Sequence, residues 1–258
     1  MSPTSRATPL GDALIEFASL DRVLIASDYD GCVAPIVSRP EDAAPNPDSV
    51  AALRRAADAP GTWVALVSGR ARRDLAALSG LGDPVTLVGS HGAEFADGFE
   101  TPLTDEQEAL LARIVEEFTA ITERFPGTTV ETKPASTTLH VRNASDDDAR
   151  AALTLAVEGP AAWPGVHVTH GKAVIELAVI ATSKGHALDR LRDAVHAQAV
   201  LYLGDDVTDE KAFAHLNLPG DVSVKVGDGA TAAKYRISDP DEVAQVLTTA
   251  AQLRAARA

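Results

Sequence analysis

The sequence predicts an α/β fold: a doubly wound, Rossmann-like parallel sheet interrupted by an inserted α+β segment. Three observations predict it. Short apolar runs alternate with amphipathic helical stretches, which is the pattern of parallel β/α units. Those runs end in residues suited to chemistry, at Asp28, Ser68, His91 and Asp205, and such sheets bind ligands beyond the carboxyl ends of their strands. Between residues 104 and 180 the alternation gives way to an α-β-β-α-β-β order.

Each element has its own signal. Leu14, Ile15, Phe17 and Ala18 mark an amphipathic helix over 11–20. Val23-Leu24-Ile25-Ala26 is apolar on both faces, as a buried central strand must be. A proline-rich loop, Pro35 to Pro47, precedes a helix over Ser49–Ala57. A second strand, Trp63–Val67, leads into a helix ending near Ser79, and Val85–Val88 forms a third. From Asp105 to Phe125, Leu110, Leu111, Ile114, Val115, Phe118 and Ile121 recur at helical spacing. Strands over Thr128–Lys133 and Thr137–Asn143, a helix over Asp146–Glu158, and strands over Val166–Thr169 and Lys172–Val179 complete the insert. The α/β pattern resumes with a helix from Ser183-Lys184-Gly185, strands Ala199–Leu203 and Val222–Val226, and a closing helix over 240–253. The expected domains are therefore 1–103 with 181–258, and 104–180.

Composition narrows the function. The 258 residues are 45% apolar but only 4% aromatic, and the net charge is −14. An acidic surface argues against nucleic acid or an anionic membrane as partner. The single cysteine, Cys32, allows no intrachain disulfide and reads as a small packing residue. Residues 1–9 lack the apolar core of a signal peptide. A cytoplasmic monomer acting on a small molecule is expected.

The candidate site starts at Asp28-Tyr29-Asp30-Gly31. Two carboxylates at the end of a buried strand need neutralising, and oxygen ligands of this kind suit magnesium. A calcium-binding EF-hand loop fails, because Cys32 and Arg39 stand at its third and last ligand positions. Asp205 and Asp206 end another buried strand and would complete a metal site with Asp28. Thr208 reads as the cap of the helix that follows. Ser68 reads as a helix cap and also as an anion contact, since free N–H groups gather at a helix start. Lys184 opposes the dipole of its helix, an objection that a nearby phosphate removes. In the insert, strand parity puts Leu139, Val141, Ala173, Ile175 and Leu177 on one face. Glu131, Lys133, His140, Arg142, Lys172 and Glu176 share the other, which is either solvated or a lid binding hydroxyl groups.

Asp28-x-Asp30, Ser68, Lys184 and Gly204-Asp205-Asp206, in that order, resemble the haloacid dehalogenase (HAD) superfamily of aspartyl phosphotransferases. Val67-Ser68-Gly69-Arg70, Gly89-Ser90-His91-Gly92, Glu131-x-Lys133, His140-x-Arg142 and Thr208-Asp209-Glu210 narrow the resemblance to the trehalose-phosphatase family. Two departures stand out: Cys32 in place of a threonine, and Ala178-Val179 in place of Arg-Pro. The resemblance implies hydrolysis of trehalose 6-phosphate, with Asp28 as nucleophile, Asp30 as acid and base, and Ser68 and Lys184 on the phosphoryl oxygens. It implies magnesium held by Asp28, Asp30 and Asp205, with Asp206 and Asp209 in support. It implies substrate contacts from Arg70, His91, Gly92, Glu131, Lys133, Arg142, Lys172 and Glu176. A sucrose- or mannosyl-phosphate phosphatase and a non-catalytic sugar-phosphate-binding module are the alternatives.

Overall fold

In a computed structural model, residues 9–99, 102–171, 173–181 and 183–257 are described. The chain runs α1 (Pro9–Ser19), β1 (Val23–Ser27), α2 (Pro47–Ala57), β2 (Thr62–Val67), α3 (Arg72–Ser79), β3 (Thr86–Val88), β4 (Glu94–Phe95) and β5 (Gly98–Phe99). It continues with α4 (Asp105–Arg124), β6 (Thr129–Thr132), β7 (Ser136–His140), α5 (Asp146–Glu158), β8 (His167–Gly171) and β9 (Val174–Ala178). The last elements are α6 (Lys184–Val195), β10 (Ala199–Gly204), α7 (Val207–His215), β11 (Val222–Val226), β12 (Tyr235–Ile237) and α8 (Pro240–Ala255).

The larger sheet has the order β12-β11-β10-β1-β2-β3 and is parallel throughout. β1 lies inside it, with Ala26 opposite Tyr202 on one side and Ala65 on the other. All five of its residues are buried. Period 2 divides them between two layers. Val23 and Ile25 pack with Phe17, Leu53 and Leu247 of α1, α2 and α8. Leu24 and Ala26 pack with Leu188, Leu191 and Phe213 of α6 and α7. Helices on both faces leave the strand ends as a place where polar groups can gather.

The insert forms a second, antiparallel sheet, β6-β7-β9-β8. Ile114, Phe118 and Ile121 of α4 and Ala152 and Ala156 of α5 pack on Leu139, Ile175 and Leu177 of one face. Each fully buried Leu, Ile or Phe contributes about 1.5–3 kcal/mol of transfer free energy.

The structure departs from expectation in small ways. β7 ends at His140 rather than Asn143, and β8 runs on to Gly171, so its turn lies later. The strands β4, β5 and β12 were not anticipated; they are two or three residues long, too short for a periodic signal. α8 runs to Ala255 and carries a buried Arg254, which donates to Thr62 Oγ1, Ala18 O and Pro60 O, each at 2.8 Å. Residues 1–8, to which the signal-peptide expectation applied, and Lys172 of the expected sugar site lie outside the described residues. Among the described residues no helix is long and apolar enough to cross a membrane.

Candidate active site

Asp28 follows β1 directly, and its N–H still pairs with Leu203 O at 2.9 Å. The sheet thus fixes its backbone. The residue is 5% exposed. Oδ1 accepts the N–H of Tyr29 at 2.7 Å, and Oδ2 accepts Lys184 Nζ at 2.6 Å. Lys184 also donates to Asp209 Oδ1 at 2.8 Å. Two carboxylates therefore meet the charge that the dipole of α6 disfavours, a role the sequence argument reserved for phosphate.

Asp205 follows β10, one strand over. Gly31 turns there with φ +78°, and a methyl group on it would stand 2.1 Å from an Asp205 carboxylate oxygen. Only glycine fits, on both conformation and space. Burial pushes the Asp205 carboxyl up to about 7, and the charge of Asp209 adds to the push. Burial also raises Asp28, with Asp209 and Asp205 adding to it against the pull of Lys184. Burial alone would raise Asp209 as well, yet its carboxyl lies below the ordinary range because Lys184 and Tyr202 donate to it.

Acidic oxygens of Asp28, Asp205 and Asp209 lie within 4.8 Å of one another. Asp209 has no acceptor capacity to spare: besides Lys184 and Tyr202, it takes the N–H groups of Asp205 and Asp206, both at 2.9 Å. Asp28, with one donor on each oxygen, and Asp205 keep lone pairs to offer and lie close together. That set fits a hard divalent cation. Lys225 Nζ donates to the main-chain carbonyl of Asp205 beside it.

Asp30 lines the same cavity, held by Arg70 through two bonds of 2.7 and 2.6 Å. Ser68 is fully buried, and its hydroxyl accepts the N–H of Arg70 at 3.2 Å. It is not the cap of α3; that position is Ala71, which has no capping side chain. Likewise the cap of α7 is Asp206, not Thr208. Cys32 is fully buried behind Gly31, and burial pushes its thiol well up, with Asp205 adding to the effect.

The cavity above these groups holds about 910 Å³. Its floor includes Asp28, Asp30, Arg70, His91, Lys184 and Asp205, its roof Glu131, Lys133, Thr138, His140, Arg142 and Glu176. The loop residues Ile36 to Glu41 form part of its rim. Glu131 pairs with His140 at 2.9 Å. Glu176 takes Lys133 Nζ at 2.9 Å, Ser136 Oγ at 2.7 Å and Thr138 Oγ1 at 3.2 Å. Burial would raise the Glu176 carboxyl, but Lys133 and His91 hold it well below the ordinary range. His91 Nε2 lies 3.0 Å from Glu176 and so links the two sheets. Gly69 leaves room for its ring, since a Cβ there would come within 2.4 Å. Gly92 is not part of the cavity lining; with φ +102° it backs onto the Ser183 carbonyl.

The structure brings further residues to the site. Ser136 and Thr138 share the parity of Glu131 and His140, so their signal was present. Lys225, a cation inside the buried strand β11, was a second one. Tyr202 showed none, since a tyrosine in a buried strand reads as core.

Residues 26–241 match the trehalose-phosphatase family. A trehalose-6-phosphate phosphatase of Escherichia coli is 33% identical over 233 residues, spanning 87% of this chain and 86% of that protein. A trehalose-phosphate phosphatase of Mycobacterium marinum is 35% identical over 243 residues, 88% of this chain and 61% of that protein. Among solved structures, the C-terminal domain of a C. albicans trehalose-6-phosphate phosphatase superposes with a TM-score of 0.82 at 26% identity, covering 95% and 97% of the two chains. A haloacid dehalogenase-like hydrolase from B. subtilis shares the fold, with a TM-score of 0.59 at 16% identity over 88% and 98%. The parallel sheet, the acidic site at its carboxyl edge and the match across most of the chain make this protein a member of the trehalose-phosphatase family.

Proposed function

We propose that the chain hydrolyses trehalose 6-phosphate to trehalose and inorganic phosphate, the last step of trehalose formation, as a cytoplasmic monomer. The observation that carries this is the 2.6 Å contact of Asp28 Oδ2 with Lys184, at the floor of a cavity roofed by polar and charged side chains. Residues 1–103 and 181–258 act as the catalytic core, and 104–180 as a cap.

Asp28 attacks phosphorus, and the bond to the sugar oxygen breaks. An aspartyl-phosphate forms, dividing one hard displacement into two easier ones. Asp30 gives a proton to the departing sugar oxygen, then takes one from the water that hydrolyses the intermediate. In the free protein Asp30 is tied to Arg70; an arriving phosphate draws Arg70 to itself and releases Asp30. Ser68 and Lys184 hold phosphoryl oxygens as charge spreads over them. Magnesium would be held by Asp28, the main-chain carbonyl of Asp30 and Asp205, with Asp206 and Asp209 in support. Bound there, it screens the repulsion between nucleophile and phosphate. Glu131, Lys133, Arg142, Lys172 and Glu176 take the distal glucose, with His91 beneath.

The test is phosphate release from trehalose 6-phosphate, glucose 6-phosphate and sucrose 6-phosphate, with magnesium and with a chelator. The first substrate should be strongly preferred, and the chelator should abolish release. Equal rates on all three, or release insensitive to the chelator, would refute the assignment.

A further inference from the structure

Tyr202 stands on β10 with its ring in the layer beneath α6 and α7, without solvent exposure. No step above uses it. Its hydroxyl donates to Asp209 Oδ1 at 2.6 Å, the same oxygen that accepts Lys184 Nζ at 2.8 Å. The other oxygen takes the N–H groups of Asp205 and Asp206. A carboxylate offers about four lone-pair positions, and here four donors fill them. Two further features hold this arrangement. Gly204 makes room for it, since a Cβ there would lie 2.4 Å from the Asp209 Cβ and carboxyl carbon. Phe213 of α7 meets the Tyr202 ring edge-on, with centroids 5.9 Å apart.

The geometry constrains Lys184. With the hydroxyl on one side of Oδ1, the lysine is confined to the other. Its ammonium has three N–H bonds. One goes to Asp209 and one to Asp28 Oδ2. Tetrahedral nitrogen then fixes the third, and Lys184 lines the cavity into which that bond can point. The hydroxyl also draws charge from Oδ1, so Asp209 pulls less strongly on Lys184 and leaves more of its field for Asp28 and the phosphate.

We propose that the Tyr202 hydroxyl is a positioning group for phosphoryl transfer, acting through Asp209 to aim the remaining N–H of Lys184. This rests on the phosphatase reading of the site. Tyr202→Phe removes one oxygen and keeps the ring. On p-nitrophenyl phosphate and on trehalose 6-phosphate, kcat should fall roughly tenfold, the effect of one hydrogen bond to a charged group, with KM and magnesium affinity retained. A lower melting temperature with kcat intact would mark a merely structural hydroxyl and overturn the proposal. A loss of kcat matched by an equal loss of magnesium affinity would overturn it too, because the hydroxyl would then act through Asp205.

A second measurement needs no turnover. The chain has three tyrosines, so uniform 3-fluorotyrosine labelling gives few fluorine resonances, and Tyr202→Phe assigns the relevant one. Magnesium with vanadate should shift that resonance in the wild type and leave it unmoved in Lys184→Gln. A resonance that ignores vanadate in the wild type, or moves equally in both proteins, would overturn the coupling. If instead the wild type releases no phosphate from either substrate, the phosphatase reading fails, and the fluorine experiment still decides the Tyr202–Lys184 link.

Discussion

At Asp205 a half-buried carboxylate lies beside Asp28 and Asp209, which share the hydrogen bonds of Lys184, and its carboxyl is pushed up to about 7. A folded-state pKa above the ordinary 3.8 means that the folded chain holds the proton more tightly than the unfolded one. Stability from this group is therefore full below about pH 4 and is lost as pH rises through about 7 in the metal-free protein. Magnesium held at Asp205, as proposed, would have to displace the same proton. Its affinity should fall roughly tenfold per pH unit below about 7. Thermal shift with and without magnesium, from about pH 5 to about pH 8, checks both: the gap between the two melting curves should widen with pH. A constant gap would place the metal elsewhere. Asp28, Lys184 and Asp205 were legible in the sequence because each stands at a predicted strand end or helix start. The saturation of Asp209 was not, because it depends on α7 folding that carboxylate back under Gly204.

Among the elements, the antiparallel sheet of the insert is the most informative. Parity along β6, β7 and β9 was readable from residue spacing alone, and Leu139, Ile175 and Leu177 do pack on α4 and α5. The pairings on the opposite face were not readable, since parity gives the face and register gives the partner. Register puts Glu131 opposite Thr138 and Thr138 opposite Glu176, so Glu176 collects Lys133, Ser136 and Thr138 at once. Glu131 has one protein partner among those bonds, His140, and is freer to meet a sugar hydroxyl. Glu131→Ala should lower kcat/KM on trehalose 6-phosphate by roughly 10²-fold, the scale of losing a charged hydrogen bond, and lower it on p-nitrophenyl phosphate far less. Steady-state kinetics on the two substrates provide the check. Equal losses on both would mean that this face does not read the sugar. The closing helix extends two residues past the expected 253, and the added turn carries Arg254, which is buried and ties α8 to the ends of α1 and β2.

The molecule as a whole carries a net charge of −14, while the proposed substrate is a dianion. Far from the cavity the protein repels it; close in, Arg70, Lys133, Arg142 and Lys184 attract it. Screening acts mainly on the long-range part, beyond about 10 Å at ~0.1 M salt. Moderate salt should therefore raise kcat/KM by roughly two- to threefold, with kcat unchanged, before further salt weakens the local contacts. Initial rates across a sodium chloride series decide it. A monotonic fall from the lowest salt would show that the cationic cluster dominates at all distances. The overall layout was legible from the sequence because the alternation of strands and helices stops and restarts around the insert.

Cys32 sits fully shielded where the first strand turns past Gly31, and it is the sole thiol. A sulfhydryl-directed dye can reach it only when that turn lifts away from its neighbours. The chain thus contains a built-in clock for breathing of its own reaction centre, readable without mutating a residue, and slowed by anything that clamps the turn shut.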